Sequence, residues 1–358
     1  IYDDCLHIKA SHYERADVQV VHASFPCSPW SRAGSGEGRK DPQGRLLEPV
    51  LDELQSAYDG GGMPVIIIEN VHGFKTVMGG QSLKEGLSQL MPGYYVSVAD
   101  LHAEKTPSPL NGVKAKIHKH HLWVVLANRL DFAAPIDVSV GEDEEAEENA
   151  ADVMDTDQDR EPAYYKMPKI DLENLDWRRR EHEGVVTEAL IYEAPRQQDK
   201  GRDRLSAGTG GFPSRVVNPY EGLLPSALTG QFCGWTRDKI AGRELVRAFT
   251  PREVAAALRC RDLGPKLLDV TNAASRRALA MAVPQNTADW VVCKVLEAYT
   301  AQRQGGSAER RFLDRKERIL ARGGRTGRRG SMVARRWQAQ VRAYIQRARY
   351  AQQVGEQQ

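Results

Sequence analysis

The most constraining feature of the sequence is the run Val65-Ile66-Ile67-Ile68, four β-branched residues that precede the polar pair Glu69-Asn70. A strand without a polar face must be covered on both sides, which is typical of the sheets of α/β proteins. Strand-like segments at 17–24, 64–68, 94–100 and 122–126 flank segments of helical spacing at 46–58 and 82–90. This alternation predicts an α/β fold with a largely parallel sheet.

The net charge of +2 conceals two segments of opposite sign. Residues 142–161 hold eleven acidic side chains against one basic, and residues 303–349 hold fifteen basic against three acidic. The acidic segment has almost no large apolar residues, so we expect a disordered insert over 141–161. The basic segment predicts a tail suited to polyanions such as nucleic acids.

Regular patterns weaken after residue 130 and return at Thr250-Pro251-Arg252-Glu253, a capped helix start. Helices are predicted at 251–261 and 287–300. We therefore expect a catalytic core over 1–130, a smaller loop-rich region over 131–249 that contains the acidic insert, a C-terminal part of the core over 250–301 and a basic tail over 302–358.

Several classes of protein are excluded. No apolar run approaches the 18 residues of a membrane span. The five cysteines are widely spaced and form no CxxC pair, which argues against a disulfide framework and against a structural zinc site. His118, His120 and His121 lack nearby cysteine or carboxylate ligands in the sequence, so we expect no metal.

Two reactive side chains follow predicted strands. Cys27 comes directly after the first strand, between two prolines, and Glu69 follows the isoleucine run. Because the carboxyl ends of parallel strands meet at one edge of a sheet, thiol and carboxylate can share a cleft. Such a pair suits conjugate addition to an electron-poor ring, in which the thiolate attacks carbon and the acid protonates a ring nitrogen. The alternative is a structural cysteine in a proline-rich turn.

These segments resemble motifs of the C5 cytosine methyltransferases. Pro26-Cys27-Ser28-Pro29-Trp30-Ser31 is similar to the family's Pro-Cys-Gln-Pro-Phe-Ser, and Glu69-Asn70-Val71 matches its Glu-Asn-Val. Residues 250–253 resemble its Thr-Pro-Arg-Glu, and Ala282-Val283-Pro284 resembles the end of its final motif. The resemblance implies a Rossmann-like sheet of the S-adenosylmethionine-dependent methyltransferases, incomplete at its N-terminus, with a target-recognition region over 131–249.

The resemblance also implies a chemistry. Cys27 attacks C6 of cytosine, Glu69 holds and protonates N3, and C5 takes a methyl group from S-adenosylmethionine. The expected substrate is duplex DNA with its target cytosine flipped out, and the expected protein is a monomer, nuclear in a eukaryote and cytoplasmic otherwise. The expected base and cofactor pockets are lined by Pro26, Pro29, Ser31, Asn70, Val71, Lys119, His121, Ala282, Val283 and Pro284. The arginines expected on DNA phosphates are Arg178, Arg179, Arg180, Arg202, Arg204 and Arg215.

The sequence departs from the family pattern at several motifs. Residues 114–121, Lys-Ala-Lys-Ile-His-Lys-His-His, replace Gln-x-Arg-x-Arg, Ser28 replaces Gln, and Ala280-Met281 replaces Gly-Asn. No Phe-x-Gly-x-Gly turn precedes Cys27, so we expect an N-terminally truncated and weakened member. Two alternatives remain open: a nonenzymatic nucleic-acid-binding relic of a mobile-element polyprotein, and a tRNA cytosine-5 methyltransferase, which Ser31-Arg32-Ala33-Gly34 resembles.

Overall fold

The computed structural model describes residues 5–31, 35–58, 60–76, 82–141, 153, 223–224, 251–260, 278–279 and 281–304, with the backbone alone at 251 and 302–304. It also describes the backbone of strands at 189–193, 216–217, 232–237 and 244–248. The six predicted DNA-contacting arginines, the basic tail beyond residue 304 and nearly all of the acidic insert lie outside these residues. Within the insert, Val153 is described, and it is buried against Ala103 and Leu224.

The core of the molecule is a four-stranded sheet of β1 (Val20–Ser24), β2 (Val65–Asn70), β3 (Tyr94–His102) and β4 (His120–Asn128). The strands lie in the order β1-β2-β4-β3. β1 and β2 are parallel, with Ser24 opposite Glu69. β4 pairs antiparallel with both β2 and β3.

The prediction of a largely parallel sheet therefore fails at β4, although all four predicted strands exist. β1, β2 and β3 run in one direction, and β4 lies between β2 and β3 in the other. A parallel pair needs a crossover connection, usually a helix, whereas antiparallel strands need only a loop. The segment 103–119 between β3 and β4 contains no helix, so β4 returns directly alongside β3.

Three helices cover one face of the sheet: α1 (Ala10–Arg15), α2 (Leu47–Ser56) and α3 (Leu83–Leu90). Ser82 caps α3 by accepting a hydrogen bond from the Glu85 amide, while the Glu85 carboxylate accepts one from the Ser82 amide. The leucines of α2 and α3 pack with Ile66 and Ile68 of β2 in one apolar cluster. Burial of these side chains is the main source of stability on this face.

The opposite face is covered by the long helix α5 (Gln285–Gln304), which follows the shorter helix α4 (Pro251–Ala257). Val291 and Val295 of α5 pack against Val65, Ile67 and Trp123 of the sheet. The Tyr299 hydroxyl and the Gln19 side-chain oxygen, 2.8 Å apart, join the helix to the segment before β1. Every residue of β2 is buried because helices lie on both faces.

A second sheet lies in the region predicted to be loop-rich. Its strands are β5 (Ala189–Glu193), β6 (Val216–Val217), β7 (Phe232–Arg237) and β8 (Glu244–Ala248), in the antiparallel order β6-β5-β7-β8. These strands are short and are separated by segments rich in Gly, Pro and Arg, so the sequence shows no sustained alternation there. The predicted boundaries at 130, 249 and 301 remain predictions.

Candidate active site

The loop after β1 holds its backbone rigidly around Cys27. The amides of Trp30 and Ser31 both donate to the Cys27 carbonyl at 3.0 Å, which closes a short 3₁₀ turn over Ser28–Trp30. Pro29 and Trp30 are buried, whereas Cys27 is partly exposed. Proline suits this position because the first turn of a helix has no internal partner for its N–H groups. The thiol is thus fixed in place and accessible.

The segment after β2 packs on the same loop. The Asn70 side chain donates to the Phe25 carbonyl at 3.1 Å, and its oxygen accepts from the Val71 amide at 2.9 Å. The Phe74 and Trp30 rings meet edge to face with centroids 5.2 Å apart. A Cβ atom at Gly73 would overlap the Trp30 carbonyl oxygen, so glycine allows the two backbones to meet.

Glu69 lies at the end of β2, only 5% exposed. The Ser24 hydroxyl donates to its Oε2 atom at 2.6 Å. The Nδ1 atom of His121 lies 2.8 Å from its Oε1 atom. This is a close polar contact in which Nδ1 does not lie in the direction of a hydrogen bond. Both oxygens of the carboxylate are therefore contacted by side chains from neighbouring strands.

The surroundings of Glu69 favour its ionised form. Burial by itself raises the pKa of this carboxyl, but the contact and charge of His121, the hydrogen bond from Ser24 and the charge of His22 together outweigh burial and lower the pKa below its ordinary value. A carboxylate that is already ionised accepts hydrogen bonds and stabilises positive charge, and it needs another group to supply any proton that it passes on.

Lys119, just before β4, is the buried cation of the site and is 7% exposed. Its ammonium group donates to the Ala282 carbonyl oxygen, which joins the segment before α5 to the site. Burial lowers the pKa of Lys119 to about 8, against the opposing charges of Glu69, Cys260 and Cys27. The ammonium group therefore lies within electrostatic reach of both proposed catalytic side chains.

Backbone pairing fixes the segment that carries Lys119. The Lys116 amide donates to the Ala257 carbonyl at 3.0 Å, and the His118 amide donates to the Leu224 carbonyl at 2.8 Å. The Leu224 amide donates back to the Lys116 carbonyl at 3.0 Å. This segment is thus held between Leu224 and the end of α4, which aims Lys119 at the carboxyl edge of β1 and β2.

The structure brings together Cys27, Glu69, Asn70, Lys119, His121 and Ala282 from the predicted site. Pro26, Ser31, Val71 and Val283 are partly exposed around it, and Pro29 and Pro284 are buried. Sequence reasoning missed Ser24 and Cys260, which approach this site from β1 and from the end of α4. The signal for Ser24 was its place at the end of β1, because parallel pairing sets it beside Glu69.

The resemblance implies S-adenosylmethionine as the cofactor. Ala282 and Val283 supply a partly exposed wall beside Lys119. Among the described residues, these side chains fit one side of a cofactor site and do not by themselves form a cradle for the methionine end of S-adenosylmethionine. The described side chains of the site thus centre on Cys27 and Glu69.

The described residues contain no cluster of three or more His, Cys, Asp or Glu side chains arranged to hold a metal ion. None of their helices combines the length and apolar character that crossing a membrane requires. The cysteines at 5, 27, 260 and 293 are not in disulfides.

Comparisons with known proteins agree with this geometry. Residues 1–109 match the family described as C-5 cytosine-specific DNA methylase. The S. pombe Dnmt2 methyltransferase is 14% identical, with 83% of each chain covered and a TM-score of 0.51. A mutant of Spodoptera frugiperda DNMT2 is 11% identical, with 84% of this chain and 85% of that chain covered and a TM-score of 0.51.

At such identities the likeness shows the fold alone, a Rossmann-like α/β sheet. No curated protein matches the chain significantly. The family match spans the Cys27 loop, the strand that carries Glu69, and β3 with the first residues of the segment that follows it. Over residues 1–109 the chain is therefore similar to the C-5 cytosine-specific DNA methylase family.

Proposed function

We propose that this chain is a DNA cytosine-5 methyltransferase that works through a covalent adduct between Cys27 and C6 of the target cytosine. One observation carries the proposal: the accessible thiol after β1 and the buried carboxylate at the end of β2 lie at the same edge of two parallel, adjacent strands. Ser24 and Asn70 join the two segments by hydrogen bonds of 2.6 and 3.1 Å.

The residues divide the chemistry between them. The Cys27 thiolate forms a bond to C6, and the electron pair displaced from the C5–C6 double bond makes C5 nucleophilic as N3 takes up a proton. Glu69 holds N3 and delivers that proton. The ammonium group of Lys119 favours the thiolate and the carboxylate by charge.

S-adenosylmethionine, when bound, supplies the methyl group that C5 receives. Loss of the C5 proton and expulsion of the Cys27 thiolate then restore the double bond of the ring. Each of these roles needs the base to leave its stack, which costs a few kcal/mol for a paired base. Cys27 is partly exposed, whereas Glu69 and Lys119 are buried. This arrangement suits a base that enters the site from the solvent side.

Trapping of the adduct tests the proposal. The full chain is incubated with S-adenosylmethionine and a duplex that contains 5-fluorocytosine, whose fluorine prevents release of the enzyme. We expect a covalent complex with the wild type and with Cys5→Ser, a matched control at an exposed cysteine, and none with Cys27→Ser. A parallel arm uses a 5-fluorocytosine-substituted tRNA.

The outcomes separate the three interpretations. Adduct on the duplex supports the proposal, and adduct on tRNA alone replaces it by a tRNA methyltransferase. Binding of either nucleic acid without any adduct at Cys27 identifies a nonenzymatic binding protein and refutes the proposal.

A further inference from the structure

Three histidine side chains form an exposed patch at the edge of the sheet that also carries the candidate active site. His72 follows β2, His102 ends β3, and His120 begins β4 as the register partner of His102. The ring centroid of His120 lies 5.3 Å from that of His72 and 5.0 Å from that of His102. The side chains of His72 and His102 are 51% and 42% exposed, and His120 is also exposed. These three residues, the histidine patch, have no part in the proposed methyl transfer.

Carboxylates hold two of the rings in place. The Nδ1 atom of His72 lies 2.5 Å from an Asp100 oxygen, within hydrogen-bond distance, and the Nδ1 atom of His102 lies 3.6 Å from a Glu104 oxygen. The side chains of Asp100 and Glu104 are 20% and 8% exposed, so the carboxylates are more buried than the rings that they contact. A ring that is already restrained loses little conformational freedom when a ligand binds to it. The patch is therefore preorganised.

The histidine patch adjoins the loop that carries the nucleophile. His72 is followed by Gly73, whose backbone meets the Trp30 carbonyl of that loop. His120 directly follows Lys119, the buried cation of the site. The patch is thus joined to the active site on two sides, through the segment after β2 and through the start of β4.

We propose that the histidine patch stacks against an unpaired base next to the target cytosine of the substrate duplex. The inference rests on the proposed function. A cytosine that leaves its stack to reach Cys27 exposes the faces of the neighbouring bases. Unstacked bases bind to aromatic side chains, histidine included, and such stacking tolerates any base because every base has a π-face. The patch thus replaces stacking that extrusion of the target removes.

Stacking fits the patch better than binding of a metal ion or of a phosphate group alone. The part of the chain that the structure describes contains no arrangement of three or more ligands for a metal ion. The carboxylates of Asp100 and Glu104 repel an anion, and the ammonium group of Lys75 is already paired with Asp100 at 3.0 Å. A neutral base is not repelled. The exposed ring faces are therefore what the patch offers to a nucleic acid.

The first experiment separates a ring contact from a charge contact. Binding of the duplex used for trapping, labelled with fluorescein, is measured by fluorescence anisotropy with the full chain. His120→Gln removes the ring and should raise Kd at least about fivefold, the effect of losing one stacked base. His120→Phe keeps an aromatic ring and should bind as tightly as the wild type.

Two further variants complete the comparison. His120→Lys supplies a positive charge without a ring and should bind more weakly than His120→Phe. His7→Gln is the matched control, because His7 is an exposed histidine outside the patch, and it should bind like the wild type. Wild-type affinity in His120→Gln overturns the inference, as does a pattern in which His120→Lys restores binding and His120→Phe does not.

The second experiment pairs the ring with the base. Two duplexes each lack one base, on the 5′ or on the 3′ side of the target cytosine. Loss of the stacked base should weaken binding by the wild type more than binding by His120→Gln, because the variant has already lost the contact. Any effect of the missing base on extrusion of the cytosine is common to both proteins and cancels. An equal change of affinity in the two proteins, with both duplexes, overturns the inference.

The stacking role and the proposed function fail in different ways. Trapping of the duplex by a wild type whose affinity equals that of His120→Gln refutes the stacking role alone. A wild type that binds the duplex without any adduct at Cys27 refutes the proposed function, and the duplexes that lack a base then decide whether the patch binds one. A wild type that does not bind the duplex refutes both.

Discussion

Lys119 offers the sharpest test of the electrostatics of this site. It is a charged side chain that is 7% exposed, and its pKa falls to about 8 from an ordinary lysine value of 10.5 chiefly because of burial. At about 1.4 kcal/mol per pKa unit, the difference corresponds to about 3 kcal/mol. Folding of the charged form therefore costs about 3 kcal/mol that a neutral side chain at this position would not cost.

The sign of the pH dependence follows from proton counting. Below pH 8 the lysine is protonated in both the folded and the unfolded chain. Between pH 8 and about 10.5 the unfolded chain holds the proton and the folded chain does not, so the free energy of unfolding rises with pH by up to about 3 kcal/mol. Lys119→Met removes this rise.

At pH 7, Lys119→Met should be more stable than the wild type by about 2 kcal/mol, because loss of the hydrogen bond to the Ala282 carbonyl offsets about 1 kcal/mol of the gain. At pH 10.5 burial of the uncharged Lys119 no longer carries this cost, and the lost hydrogen bond leaves the variant slightly less stable than the wild type. Urea unfolding followed by tryptophan fluorescence at pH 7, 8, 9 and 10.5 gives the comparison. Lys84→Met, at an exposed lysine of α3, controls for removal of any lysine. A stability difference between Lys119→Met and wild type that is the same at every pH would refute the reasoning.

Two further predictions concern the segment 71–76 that follows β2. Gly73→Ala should destabilise the fold by about 1–3 kcal/mol, because the new Cβ atom overlaps the Trp30 carbonyl oxygen and neither atom can move unless the main chain moves. The temperature of thermal unfolding and the rate of Cys27 alkylation should both change. An unchanged alkylation rate would contradict the contact between Gly73 and the Cys27 loop. Burial raises the pKa of Asp100, but hydrogen bonds from Lys75 and His72 outweigh it and lower the pKa. Ionised Asp100 thus stabilises the folded chain above about pH 4, and this stabilisation is lost as the pH falls further. In Asp100→Asn the free energy of unfolding should fall less steeply as the pH is lowered below about 4. A fall as steep as that of the wild type would show that Asp100 does not contribute to the acid dependence of stability.

Local signals in the sequence predict much of the fold. The isoleucine run predicts β2 within two residues, and the helical spacing over 82–90 predicts α3. The two reactive residues are found because each directly follows a strand. These features depend on hydrophobic period, turn chemistry and capping, all of which act over a few residues.

The features that sequence reasoning missed depend on contacts between distant residues. The Ala282 carbonyl that binds Lys119 lies 163 residues along the chain, and Ser24 and Glu69 are separated by 45. No local pattern reports such pairs. The direction of β4 has a similar origin, because it depends on the missing helix between β3 and β4 and not on the composition of β4 itself.

The free-energy cost of burying the Lys119 ammonium group helps to decide between an enzymatic and a nonenzymatic function. A protein that bound nucleic acid only through surface charges would gain stability from an apolar side chain at Lys119, since burial of that ammonium group costs about 3 kcal/mol. A buried charge of this kind is expected where a reaction needs it, next to a nucleophile and an acid whose charges it stabilises. Lys119, Glu69 and His121 are all buried beside the one partly exposed thiol of the site. The arrangement therefore supports the enzymatic proposal over the nonenzymatic one, because binding alone gives no reason to bury an ammonium group, an imidazole and a carboxylate in the same site as Cys27.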